Sequence, residues 1–203
     1  MMAGRKENRR THALVVMAHP AAASLTRSVT AAVVEELEAL GHTTQIADLA
    51  TERFDPVFGP ADHAAYAAGE PTPQDVLAEQ RRIDRADHLI LVFPVYWWSM
   101  PALLKGWIDR VFVSGWAFAE DADQGLVKKL GRLKVHLIAL GGADSATYVK
   151  RGYRQAMQTQ IEQGIFDFCG AQMITSELIT IGSTYPPSDL VGTARCIIRG
   201  LSG

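Results

Sequence analysis

Cysteine is scarce: the 203 residues contain only Cys169 and Cys196, with no CxxC spacing. That usage points to a reducing, cytoplasmic setting. Several motifs are missing as well. Without GxxxxGK[ST] or GxGxxG there is neither a triphosphate cradle nor the usual dinucleotide fingerprint, and without GxSxG there is no serine-hydrolase elbow. The six histidines include no HExxH and join no Cys/His cluster with metal-ligand spacing. Charge of one sign is also lacking. A formal net charge of -2, with acids and bases interspersed, offers no basic face for nucleic acid and no acidic docking surface of the kind small electron carriers use. A small-molecule substrate is the remaining class. No apolar run is long enough for a membrane span, and the polar opening MMAGRKENRR carries no secretory signal, so stable membrane insertion is not expected. Residues 1–11 read as a disordered tail and residues 12–203 as one domain, with no repeat, low-complexity tract or dividing linker.

What is present is an alternation of strands and helices. Apolar or β-branched runs at 13–17, 43–49, 88–93, 134–140 and about 173–181 read as strands. Between them lie helical periodicities. Ser24 is the expected N-cap of a helix carrying Leu25, Val29, Val33, Leu37 and Leu40, and Gly41 stands at its end. The long piece 50–73 holds FDP and an Ala-rich helical patch at 62–68. A helix then opens with Thr72 as cap and Pro73 at its first position, and runs to about Ala86. Further helices are expected from Pro101, from about 149 to 168, and after Pro187. This order implies an α/β fold, a five-stranded parallel sheet with helices on both faces. On the helix from Pro101, Leu103 and Trp107 widen the apolar stripe of Leu104, Ile108, Val111 and Phe112, which suggests another element or subunit against it.

Ligands of such sheets lie at the C-terminal strand ends, where the winding reverses. Three stretches arrive there. After the first strand, His19 to Thr26 offers the hydroxyls of Ser24 and Thr26 and a helix N-terminus, an anion site that needs no lysine. After the third, Pro94, Val95, Tyr96, Trp97 and Trp98 put three aromatic rings on a short loop between two prolines. After the fourth, Gly141 and Gly142 let a ring approach the main chain, with Tyr148 a few residues on. A phosphorylated planar cofactor would use all three. Cys169, in the apolar helix end IFDFCG, reads as inert packing.

On AHP…SLT, FDP, AEQ, FPVYWWSMPALLKGWIDRVF, GG…Y and GIFDFCG, the chain resembles the flavodoxin-like NAD(P)H:quinone oxidoreductases. The resemblance covers nearly the whole chain from the first strand and implies the strand order 2-1-3-4-5. It also implies a homodimer with each active site at the subunit interface, a flavin cofactor, NAD(P)H as cosubstrate, and two-electron, ping-pong reduction of a quinone. By this resemblance His19, Ser24, Leu25 and Thr26 hold the phosphates and ribityl chain. Pro94, Val95, Tyr96, Trp97 and Trp98 line the isoalloxazine. Gly141 and Gly142 meet its pyrimidine side, and Tyr148 bonds its carbonyl edge. Trp97 and Trp98 also wall the substrate pocket, with Phe118 and Phe168. FDP and Arg195 match positions that hold the adenosine end in FAD-binding members, which favours FAD over FMN.

The chain departs from the animal enzymes in three places. Ala139 and Leu140 replace two threonines, Arg154 stands where they carry a catalytic histidine, and Phe118 and Glu120 replace two pocket tyrosines. Arg154 cannot release a proton at neutral pH but could stabilise a reduced, anionic ring or a nicotinamide phosphate. The same site could serve an azo, nitro or flavin reductase. Two further alternatives are a regulatory subunit of a potassium-efflux transporter and a one-electron shuttle, which the near-neutral charge disfavours.

Overall fold

The computed structural model describes residues 10–180 together with Val191, Gly192, Arg195 and Ile198. In chain order the elements are β1 (His12–Met17), α1 (Leu25–Ala39), β2 (Thr43–Asp48), α2 (Pro60–Ala68), α3 (Gln74–Asp84), β3 (His88–Pro94) and α4 (Ala102–Val111). They continue as β4 (Phe118–Asp121), β5 (Gly125–Lys128), β6 (Lys134–Gly141), α5 (Ser145–Lys150), α6 (Tyr153–Met157), a π-helical segment Gln158–Asp167, and β7 (Gln172–Thr180). Five strands form one parallel sheet in the order β2-β1-β3-β6-β7, with Met17 level with Val92 and Pro94 level with Leu140. In sheet terms this is the expected order, and the winding reverses between β1 and β3.

The continuous apolar runs follow from burial on both faces. Ala13 and Val15 of β1 point to a core shared with Val29, Val33 and Leu37 of α1 and with Ile198. Leu14 and Val16 point the other way, to a larger core with Val76 and Ile83 of α3 and Leu104 and Trp107 of α4. The broad stripe on α4 is thereby explained within one chain. Trp107 is fully buried, and its Nε1 donates to Glu79 Oε2 of α3 at 3.0 Å, so its extra width covers α3.

The long piece before α3 is anchored by a buried charge. Arg110 of α4, 6% exposed, donates from Nε to Asp62 at 3.0 Å and from Nη1 to Asp75 at 2.7 Å and the Asp55 carbonyl at 2.9 Å. FDP sits against α4 so closely that a Cβ at Gly106 would lie 2.2 Å from the Pro56 carbonyl oxygen. Only glycine permits that approach.

Several expectations need correction. Helix α3 begins at Gln74, with Pro73 as an extended cap residue, and Asp75 turns to Arg110. The single helix expected over 149–168 is α5, a turn at Arg151 and Gly152, α6 and the π-helical segment, because Gly152 adopts φ 71°. The antiparallel hairpin β4–β5 is an element that the apolar periodicity does not reveal. Its turn has a local signature: Asp121 Oδ1 accepts from the N–H groups of Asp123 and Gln124, and Gly125 has φ 70°. Most of the helix expected after Pro187, the tail and Cys196 lie outside the described residues. Among those described, no helix is long and apolar enough to cross a membrane.

At the opposite end of the sheet from the strand C-termini, His88 and His136 stack with centroids 5.2 Å apart, and His88 Nδ1 meets His136 Nε2 at 2.9 Å. His136 Nδ1 meets Thr175 Oγ1 at 3.0 Å. Burial, with the charges of His88 and Lys134, pushes His136 down to about 3. The unfolded imidazole, titrating near 6.5, therefore binds a proton that the folded one refuses in the window between. This contribution to stability is complete above the unfolded value and is lost as pH falls. Urea titrations should show the native state losing about 1 kcal/mol from this group between pH 7 and 5.5, a loss absent in His136→Gln.

Candidate functional site

The sharp exit from β3 is a two-residue turn whose central residues are both tryptophans. Tyr96 N–H donates to the Ser99 carbonyl at 3.1 Å and Ser99 N–H returns a bond to the Tyr96 carbonyl at 3.1 Å. Trp97 and Trp98 consequently take φ 48° and 63°. Turns of this kind favour Asn-Gly, and a left-handed backbone costs an L-residue roughly 1–2 kcal/mol. Backbone strain of this sort gathers at functional sites. Neither tryptophan N–H has an acceptor among the described residues, and the Trp97 indole is 91% exposed.

The turn is joined to the end of β6. Val95 N–H donates to the Leu140 carbonyl at 2.8 Å, and Trp98 meets Tyr148 edge-on at 5.3 Å. Tyr148, on α5 and only 2% exposed, folds back over the strand end, where a Cβ on Gly141 would stand 2.6 Å from its Oη. Asp144 caps this short helix by accepting from Thr147 N–H at 2.7 Å. Burial holds the Tyr148 phenol above its usual range, so it keeps its proton throughout neutral pH. Gly142 is exposed, and its N–H too has no acceptor among the described residues.

On the neighbouring β1, Ser24 caps α1 with its Oγ accepting from Arg27 N–H at 3.2 Å. The N–H groups of Leu25 and Thr26 have no acceptor among the described residues, as expected in the first turn of a helix. His19 Nδ1 accepts from Ala21 N–H at 3.1 Å, and its Nε2 has no partner among the described residues. Beside them Arg27 binds Asp48 and Thr51 through Nη2, while its Nε is buried with no acceptor among the described residues. The three strand ends thus combine open donors, aromatic surface and a glycine on which no side chain fits. Those features suit a phosphorylated planar group.

Other expected residues lie elsewhere. The Arg154 guanidinium donates from Nη2 to the Ser176 carbonyl of β7 at 2.7 Å, four residues short of the Gly141–Thr180 level. In this conformation it is turned away from the strand ends. Phe118 and Phe168 meet each other at 5.1 Å and line a groove of about 220 Å³ with Ile108, Asp109 and Phe112. Neither makes a ring contact with Trp97 or Trp98. Arg195 pairs with Glu35 of α1 at 2.6 Å. Burial pushes the Cys169 thiol up to about 11, so it stays protonated and packed. Sequence reasoning missed Tyr153, whose ring stacks on Trp98, and Gln160, which accepts from Ser99 Oγ at 2.5 Å. The only local signal was an aromatic directly after Gly152, where the helix breaks.

Comparison with known proteins bears on the family and the fold. A family model described as a flavodoxin-like fold matches residues 11–189. The NAD(P)H dehydrogenase [quinone] 1 of Cavia porcellus is 32% identical over 199 residues, covering 88% of this chain and 71% of that protein. Among solved structures, the NAD(P)H:quinone oxidoreductase from Methanothermobacter marburgensis superposes with a TM-score of 0.84 at 26% identity, over 95% of this chain and 100% of that one. The general stress protein 14 of Treponema denticola, solved in complex with FMN, superposes at 0.63 with 25% identity, over 94% of this chain and 97% of that one. By the family model this chain belongs to the flavodoxin-like fold family, and by the curated relative to the NAD(P)H dehydrogenases (quinone) within it.

Proposed function

We propose that the chain is a flavin-dependent NAD(P)H:quinone oxidoreductase. The observation that carries this is the grouping, on adjoining strand ends, of the unclaimed N–H groups of Trp97, Trp98 and Gly142 with the Tyr148 phenol over Gly141. When bound, the flavin supplies hydride acceptance from NAD(P)H and hydride donation to a quinone in alternation. The chain's residues do the rest. His19, Ser24 and the open N–H groups of Leu25 and Thr26 hold the phosphates and ribityl chain. Pro94, Val95 and Tyr96 would line the ring, and Gly141 and Gly142 would leave room for it to approach main-chain donors. Those donors and the Tyr148 phenol, fixed in place beforehand, would supply hydrogen bonds to the ring's carbonyl edge. Trp97, with its indole open, provides the surface on which nicotinamide and quinone stack in turn.

FAD is the proposed form of the cofactor, on the strength of FDP and Arg195, with FMN as the alternative. Arg154 is proposed to steady the arm that carries Tyr148, given its bond to β7. A homodimer is proposed because Val57, Phe58, Tyr66 and Phe168 are exposed apolar side chains. In addition, Phe58, Tyr66, Phe112 and Phe118 line a second groove of about 320 Å³, next to the first. In such a dimer Phe118 and Phe168 serve the partner's pocket.

The purified protein should be yellow, and the mass of the released chromophore should identify FAD or FMN; a colourless protein that binds neither flavin would end this reading. Trp97→Ala should lower kcat/KM for a quinone about tenfold, or ~1.4 kcal/mol of transition-state stabilisation, with flavin retained. Gly141→Ala should displace the Tyr148 ring and weaken flavin retention by about the same factor, measured by fluorescence on titration. Light scattering should report a dimer, with Phe168→Glu shifted toward monomer and depressed in turnover.

A further inference from the structure

We infer that Tyr153 is a positioning residue which, through its stack on Trp98, holds the Trp97–Trp98 turn in its strained form and so sets the site's donors and open indole in place. This rests on the flavin-site reading above for its functional consequence, though not for its structural one. The Tyr153 and Trp98 rings lie 3.8 Å apart at 13°, close to parallel, whereas Trp98 meets Tyr148 only by its edge, at 80°. One indole is therefore held between two phenols on the same arm, 145–157. The other, Trp97, is left with no ring partner among the described residues and stands open. A left-handed pair of tryptophans has no intrinsic reason to persist. It needs an outside contact that the relaxed turn would forfeit, and the stack supplies one on the second of the two residues.

The backbone around Tyr153 is built for this contact. Gly152, at φ 71°, ends α5 after Arg151 and starts α6, so the chain reverses its helical phase immediately before the ring. A continuous helix would carry residue 153 past the turn. A second tie, from Ser99 Oγ to Gln160 Oε1 at 2.5 Å, joins the far side of the turn to the π-helical segment. Arg154, next in sequence, is bound to β7 and anchors the arm from its other side. The Tyr153 hydroxyl makes no hydrogen bond with any described residue, so the plane of the ring, not its polar tip, is the working part.

Tyr153→Ala, Tyr153→Leu and Tyr153→Phe separate these contributions. Amide hydrogen exchange on flavin-free protein should show the Tyr96 and Ser99 amides, the two that close the turn, losing at least tenfold protection in the Ala and Leu variants while Tyr153→Phe keeps it. In steady-state assays the Ala and Leu variants should lose about tenfold in quinone kcat/KM, and the Phe variant should stay within twofold of the parent. Placing Tyr153→Ala in a Trp98→Ala background should produce no further loss, because the contact is already gone. Unchanged exchange at Tyr96 and Ser99 in the Ala and Leu variants overturns the inference whatever the activity. Equal losses in the Phe and Ala variants overturn it too, by assigning the effect to the hydroxyl. Absence of quinone reduction in the parent protein would instead remove the proposed function and leave the exchange result to stand on its own.

Discussion

The left-handed pair Trp97–Trp98 is the constraint around which this end of the molecule is arranged. Strand β3 is buried on both faces and must leave the sheet, reverse, and enter α4 at Ala102. Pro94 and Pro101 bracket the reversal and rule out continuing the strand or starting the helix early. The turn between them closes with two backbone bonds and turns two peptide N–H groups loose at the sheet edge. Large side chains in that conformation are costly. The arm after β6 compensates with Tyr148, Tyr153 and Gln160, each from a different short helical piece. The breaks in that arm are therefore part of how the turn is held.

A second constraint sits behind the first. Arg110 and Glu79 are charged groups in the core, and each is tolerated because it is paired with partners of complementary charge or hydrogen-bonding character. Arg110 binds Asp62, Asp75 and the Asp55 carbonyl, and so joins α2, α3 and the FDP loop to α4. Glu79 takes Trp107 Nε1 and Arg82, which reaches Glu52 on the far side. Helix α4 is thus fixed from three directions, and the turn that feeds it inherits a rigid support. At the opposite end of the sheet, the neutral His88–His136 pair shows the same rule met without charge.

Much of this was legible before any coordinates. Strand runs such as HLILVF and KVHLIAL are apolar on both faces because the sheet is covered twice, and their alternation with helices leaves few topologies. The three strand-end stretches were legible because each carries a local mark: a Ser cap, an aromatic run between prolines, a glycine pair. Less legible were features whose signal is not local. Trp107 looked like surplus hydrophobicity until its partner proved to be Glu79, 28 positions away. Arg154 was expected at the site because, by the resemblance, it stands where the animal enzymes carry a catalytic histidine. A bend at Gly152 and a carbonyl on β7 gave its guanidinium a different partner.

The sequence by itself determined the parallel sheet and the edge at which chemistry gathers, because hydrophobic period and turn residues are properties of short stretches, whereas the strand order came only with the family resemblance. Tertiary structure alone decided which rings face a ligand and which are already spoken for. Trp97 and Trp98 are adjacent and chemically identical, yet one indole is open and the other is stacked on Tyr153, 55 residues further along the chain. No pattern in the sequence distinguishes them, since the difference arises from where a broken helix on another strand's exit brings its phenol. That is a property of packing, which depends on the direction of each side chain after the whole chain has closed.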